Sequence, residues 1–295
     1  MLHLNRRSTA AAGVAFVVLV GMGCSESTES PDVSPSAEAE ARVEEATAGE
    51  EGGTVSAEAQ ARVEAYTADV VASIKRAGDF LAAQESVSFQ ADIAYDVLQA
   101  NGQMLEFGAT RDYLMRRPDR LRIEAITRDG EVMQLFFDGQ SILVDMPNED
   151  AYIQIEKPGT FYAATRYLVD ELGAPGPLNE FISENFAPGV EEQIESGFYV
   201  QRVLLDGQIC EHLAWRSAKV DVELWVREGE EPVPCRVVIT YRNAEGRPRF
   251  AADFHDWNFS PEVDDELFSF IPPESAERLQ AQVVIREQSE ALGVQ

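Results

Sequence analysis

Apolar residues Val63, Tyr66, Val70, Ile74, Ala77 and Leu81 recur every three or four positions behind Ser56. That period places them on one stripe of an amphipathic helix, with the Ser56 hydroxyl available as its N-cap. At Val87 the period falls to two, as Val87, Phe89, Ala91, Ile93, Tyr95 and Val97 alternate with Ser88, Gln90, Asp92, Ala94 and Asp96. Alternation over that length predicts a long strand with one buried face. Asn101-Gly102 supplies a hairpin turn, and Leu105, Phe107, Ala109, Tyr113 and Met115 form the returning strand. Further alternating runs span 121–127, 132–137, 141–146 and 151–155, with turns at Asp129-Gly130 and Asp138-Gly139. Strands joined by such short turns pair antiparallel.

Between Thr160 and Phe186 the strand period disappears. Phe161, Tyr162, Tyr167, Leu168 and Leu172 suggest a short helix ending at Gly173; after Pro175 and Pro177, Leu178, Phe181, Ile182 and Phe186 suggest a second. Strand patterning resumes over 198–205, 208–216, 220–226, 235–241 and 250–257, with a last short strand expected at Leu267–Phe270. Beyond Pro272 and Pro273 the polar residues to Gln295 show weak helical character and are expected to fray. So many strands with one apolar face must curl to cover it. The expected fold is α+β: a curved antiparallel half-open barrel over residues 56–273, with the long N-terminal helix and two short lid helices on its concave side.

The N-terminus changes the picture of where this domain resides. His3, Arg6 and Arg7 precede an apolar stretch from Ala10 to Met22, the layout of a secretory signal over residues 1–23 and too short for a spanning helix. The run stops at Cys24, with Gly23 before it and Ser25 after it, which resembles the lipobox of bacterial lipoproteins, although Gly21 stands where that pattern prefers Leu. The resemblance implies that Cys24 is lipidated and that the chain is anchored on the periplasmic side of the outer membrane, for which Ser25 is permissive. An ordinary signal ending at cysteine would instead leave a soluble periplasmic protein. Residues 24–55 are Ser, Ala, Glu, Thr, Pro and Gly with few large apolar side chains. Such a segment cannot offset its ordering entropy and reads as a disordered acidic tether, with a mean reach of about 30 Å. Formal net charge is −28, from 52 acidic and 24 basic residues. That sign disfavours nucleic acid as a partner.

Catalytic chemistry is hard to assemble from what remains. Past the leader there are only His212 and His255; His255 lies in Asp253-Phe254-His255-Asp256-Trp257, where alternation puts His255 and Asp256 on opposite strand faces. The sequence contains no nucleophile elbow, no zinc-protease motif and no phosphate loop. We therefore expect a non-enzyme with no cofactor and no metal. Cys210 and Cys235 leave two outcomes open. An oxidising compartment favours a disulfide. In a simple meander, however, the two strands would flank a third and stand about 10 Å apart, beyond the roughly 7 Å that a bond spans.

Two segments, LMRRPDRLRIE (114–124) and LFFDGQSILVDMPNEDAYIQI (135–155), resemble the periplasmic lipoprotein carrier and receptor superfamily of the LolA and LolB type. The shared features are an Arg-Pro-x-x-hydrophobic element followed by strand, Asp-Gly, strand and Pro. The run from Ala59 to Pro273, supported by QRVLLDGQICEHLAWR (201–216) and DVELWVREGEEPVPCRVVITYR (221–242), resembles a family of predicted periplasmic proteins of unknown function in that superfamily. This implies a hydrophobic cavity for an acyl chain or lipid, with Arg117 at the position that latches the lid. Cavity candidates are Phe89, Ile93, Tyr95, Phe107, Tyr113, Leu121, Ile123, Leu135, Phe137, Phe161, Tyr162, Tyr167 and Leu168. An alternative use of the same fold is envelope-stress sensing, or docking of an envelope protein partner without lipid. The anchored form departs from the soluble carriers, which have no tether.

Overall fold

The computed structural model describes residues 57–172, 178 and 186–281. The leader, Cys24, the tether, the Ser56 cap, Gly173, Pro175, Pro177, Phe181, Ile182 and the final residues 282–295 lie outside the described residues.

The helical period before Val87 forms α1 (Ala57–Ala82), and the alternating segments form β1 (Ser86–Leu98), β2 (Met104–Arg116), β3 (Arg120–Thr127), β4 (Val132–Phe137), β5 (Ser141–Met146) and β6 (Ala151–Glu156). Two short helices follow, α2 (Phe161–Asp170) and α3 (Phe186–Glu191). A second meander comprises β7 (Ser196–Leu205), β8 (Gln208–Arg216), β9 (Val220–Arg227), β10 (Pro234–Tyr241) and β11 (Arg249–Asn258), and β12 (Glu277–Arg278) ends the sheet. Gly102 and Gly139 take φ of 82° and 87° in their hairpins, a region that costs other residues a Cβ clash.

All twelve strands form one open, curved sheet in the order β12-β6-β5-β4-β3-β2-β1-β11-β10-β9-β8-β7. The two meanders therefore meet along an antiparallel β1–β11 seam, in register at Ala91–Phe254 and Ile93–Ala252. Alternation carries one side chain in two to the inward face. There α1 packs against β7, β8 and β9, burying Val70, Ile74, Ala77 and Leu81. Gly197 permits this approach: a Cβ there would stand 3.4 Å from that of Val70 and 3.2 Å from that of Trp215.

Several expectations need correction. Val63 and Tyr66 belong to the helical stripe but remain exposed, Tyr66 at 53%, because the stripe is buried only from Val70 onward. A short helix runs Phe186–Glu191 and takes in the last apolar position of the second expected helix; Leu178 is buried, and residues 179–185 lie outside the described residues. Residues Leu267–Phe270 are not a strand. Asp264 accepts a hydrogen bond from the Leu267 N–H at 3.2 Å and starts a 3-10 turn, Asp265–Phe268, that buries Phe268 beneath the guanidinium of Arg116. The polar segment after Pro273 is not helical where it leaves the prolines: Glu277 and Leu279 donate to the Asp150 and Tyr152 carbonyls, adding β12 parallel to β6 beyond the expected domain end.

Cys210 and Cys235 are joined, with Cα atoms 6.8 Å apart. The spacing of a simple meander fails here because the β9–β10 register shifts between Pro234 and Arg236. Cys235 is the extra residue of that bulge, and it reaches across the end of β9 to β8.

Candidate functional site

Strand register converts the alternating sequence into rows across the concave face. One row runs Val87, Met115, Leu121, Phe137, Ile142, Ile155, and the next Phe89, Tyr113, Ile123, Leu135, Val144, Ile153. In the other half a row continues from Tyr95 through Phe250, Ile239, Val222 and Trp215 to Gly197. Burying these rows removes apolar surface from water at about 25 cal/mol per Å², the term that holds the sheet curled.

The structure brings Phe89, Ile93, Tyr95, Tyr113, Leu121, Ile123, Leu135, Phe137 and Phe161 into one contiguous buried cluster, with Tyr162, Tyr167 and Leu168 packed against it half-buried. Phe107 is the exception: it is 41% exposed, stacked on Tyr95 at 6.0 Å near the hairpin end of the concave face. Rings fill the opposite end. Tyr113 stacks on Phe89 at 4.5 Å, Phe89 on Trp257 at 4.4 Å, and Trp257 meets Phe259, which takes the edge of Phe80 from α1.

Helix α2 starts at Thr160, whose hydroxyl accepts from the Ala163 N–H and so caps it. It is held at both ends. Arg117 stacks its guanidinium on the Phe161 ring at 5.5 Å and donates to the carbonyls of Gln84 and Leu81, at 3.2 and 3.3 Å, where α1 ends. Lys157 lies over the Tyr167 ring at 4.6 Å. Each contact pairs a cation with a ring face, which is weak beside a buried core. Beside Tyr167 a cavity of about 450 Å³ opens between β6, Leu172 and the β12 segment, with Ile155, Arg278 and Leu279 among its walls.

One inward position was skipped in the alternating pattern. Arg111 stands between Ala91 and Ala125 in a third row, Ala91, Arg111, Ala125, Met133. The signal for it was present: the period of β2 requires an inward side chain between Ala109 and Tyr113. Burial raises the Tyr95 pKa, opposed by the charges of Arg111 and Arg128 and reinforced by Asp129.

The two histidines lie on the opposite, convex face. His212 stacks on Trp225 at 4.1 Å and meets Glu223 at 3.0 Å; burial pushes its pKa down against that carboxylate. His255 faces Asp256 at 2.9 Å and Asp92 at 3.2 Å. The expected separation of His255 from Asp256 is overturned by the bulge in β1–β11, where Asp256 adopts φ of 55° and turns back toward the same face. Among the described residues, no group of three or more His, Cys, Asp or Glu side chains could hold a metal ion, and no helix is long and apolar enough to cross a membrane.

A family model described as predicted periplasmic protein (DUF2092) matches residues 71–281. The chain belongs to that family. The matched span opens inside α1 and closes just past β12, so the family unit takes in the whole sheet, both short helices and the terminal strand. No curated protein matches the chain significantly. Among solved structures, the lipoprotein LppX from Mycobacterium tuberculosis is similar with a TM-score of 0.43 and 13% identity, over 67% of this chain and 99% of that one. LprF from Mycobacterium bovis gives 0.43 and 8%, over 71% and 98%. A LolA superfamily protein from Nitrosomonas europaea gives 0.33 and 11%, over 68% and 96%.

Proposed function

We propose that this member of the family is a non-catalytic, lipid-anchored protein of the periplasm whose concave face takes up a hydrophobic ligand, an acyl chain or a lipid. The observation that carries this reading is the continuity of the inward apolar rows beneath a short helix held by Arg117 and Lys157. Moving α2 exposes Tyr162, Tyr167 and Leu168 together with the 450 Å³ cavity beside them. In this role Phe161 to Leu168 act as a lid, Arg117 as its latch, and the strand candidates as the lining. Anchoring on the outer membrane through Cys24 keeps the protein from diffusing, so the ligand is received or held at a membrane surface. Mass spectrometry of solvent extracts from folded protein, with displacement of a bound apolar fluorophore, tests the reading: copurifying lipid and saturable displacement are expected. A clean extract and no probe uptake overturn it. Labelled palmitate incorporated by the wild type and lost in Cys24→Ser tests the anchor.

A second reading, docking of an envelope protein partner, draws on the edge strand β7, where Phe198, Tyr199, Val200 and Leu204 are exposed. Crosslinking in intact envelopes from residues introduced at Val200 distinguishes it: a stable protein adduct without extractable lipid favours docking.

A further inference from the structure

Within the three inward rows of β1 to β6, every position named above is apolar except one, and that one is Arg111. Its neighbours in register, Ala91 and Ala125, are buried and small, and so leave room beside the guanidinium on the inward face. Its Nε is shut away from solvent, and the guanidinium is already engaged within the protein. An arginine kept in an apolar lining carries a desolvation cost that core packing alone would avoid by placing a Leu or Met there. The whole molecule is strongly acidic, at −28, so an anionic ligand gains nothing from the outer surface.

We propose that Arg111 is a headgroup-binding residue, and that the ligand is an anionic amphiphile of fatty-acid type. Its acyl chain lies along the apolar rows, and its carboxylate accepts from the guanidinium beside Ala91 and Ala125. The inference rests on the hydrophobic-ligand reading and adds to it a charge requirement. On binding, the carboxylate accepts from the guanidinium in place of the interaction that Arg111 makes in the free protein. The exchange is of hydrogen bonds only, and no covalent step is involved. A guanidinium is suited to this because its planar fork meets both carboxylate oxygens.

The test uses the fluorescent polyene cis-parinaric acid and its methyl ester, titrated into the full chain at pH 8. The acid is expected to bind about 10- to 100-fold more tightly than the ester, the span of one charge-assisted contact. Arg111→Met is expected to abolish that preference by lowering acid affinity to that of the ester, and Arg111→Lys to retain part of it. Should Arg111→Met fail to fold, Arg111→Gln carries the same comparison, and in the wild type acid affinity must fall toward that of the ester as the carboxylate protonates below about pH 5. Equal binding of acid and ester to the wild type, or a preference that survives in Arg111→Met, overturns the role of Arg111 and leaves the hydrophobic site standing. Failure of both probes to bind overturns both readings.

Discussion

At Arg117 one side chain gathers the end of α1, the start of β3 and the first turn of α2. Two of its N–H groups satisfy helix-end carbonyls that would otherwise face a part-buried environment, and its plane covers Phe161. Arg117→Met should therefore cost about 1–3 kcal/mol in urea unfolding. It should also speed fluorophore uptake relative to the wild type, which a purely structural role would leave unchanged. His255 makes a second residue-scale prediction. Burial lowers its pKa, but the hydrogen bonds to Asp256 and Asp92 and their charges outweigh this and leave it raised. A raised folded value means that the stability it contributes is fully present below about pH 6.5 and is lost as pH rises through the folded value. The stability difference between wild type and His255→Gln should then shrink from pH 5.5 to pH 8; a difference independent of pH would show that the bridge contributes through packing alone. His212 has the opposite sign: its lowered pKa gives stability that is present above the ordinary value and lost as pH falls.

At the scale of elements, helix α1 is the packing partner that closes the β7 side of the concave face. Its stripe lies close against the sheet at Gly197, where a Cβ would be tight against Val70 and Trp215, and the Gly197 N–H donates to the Thr67 hydroxyl at 3.0 Å, tying helix to strand. Gly197→Val must push α1 outward or displace Trp215, and an overpacked contact of this kind costs about 1–3 kcal/mol. Urea unfolding checks it, with Gly207→Val, at a turn with φ of 79° and open space around it, as a control for backbone strain alone. Helix α2 differs from α1 in kind. It buries Phe161, Ala164 and Thr165 and leaves Tyr162, Tyr167 and Leu168 half-buried, so less burial opposes its displacement.

For the whole molecule, the β1–β11 seam joins the two meanders into one sheet. The buried cluster draws on α1, the strands of both meanders, and Phe161 of α2, with no break at the seam. All three tryptophans, Trp215, Trp225 and Trp257, lie in the second meander, whereas circular dichroism reports both halves. Their urea transitions should coincide. A tryptophan transition that precedes the dichroism change would mean that the second meander unfolds by itself and that the seam is weak.

Local chemistry was sufficient for much of this architecture. The change of period at Val87 marks where helix gives way to strand, Asn101-Gly102 and Asp138-Gly139 set hairpins, and alternation names most of the inward-facing apolar residues, because each of these depends on residues within a few positions of one another. What only the tertiary structure decided arises from residues far apart in the chain. The second meander starts at the far edge of the sheet and returns to pair with β1. A bulge at Cys235 brings two cysteines within bonding distance across an intervening strand, and another turns Asp256 toward His255. The same holds for Phe268 and β12, whose partners are Arg116 and the Asp150 and Tyr152 carbonyls. Periodicity states which face of a strand a side chain takes. Which strands become neighbours, and where one extra residue breaks the alternation, follows from how the finished sheet best covers its apolar face.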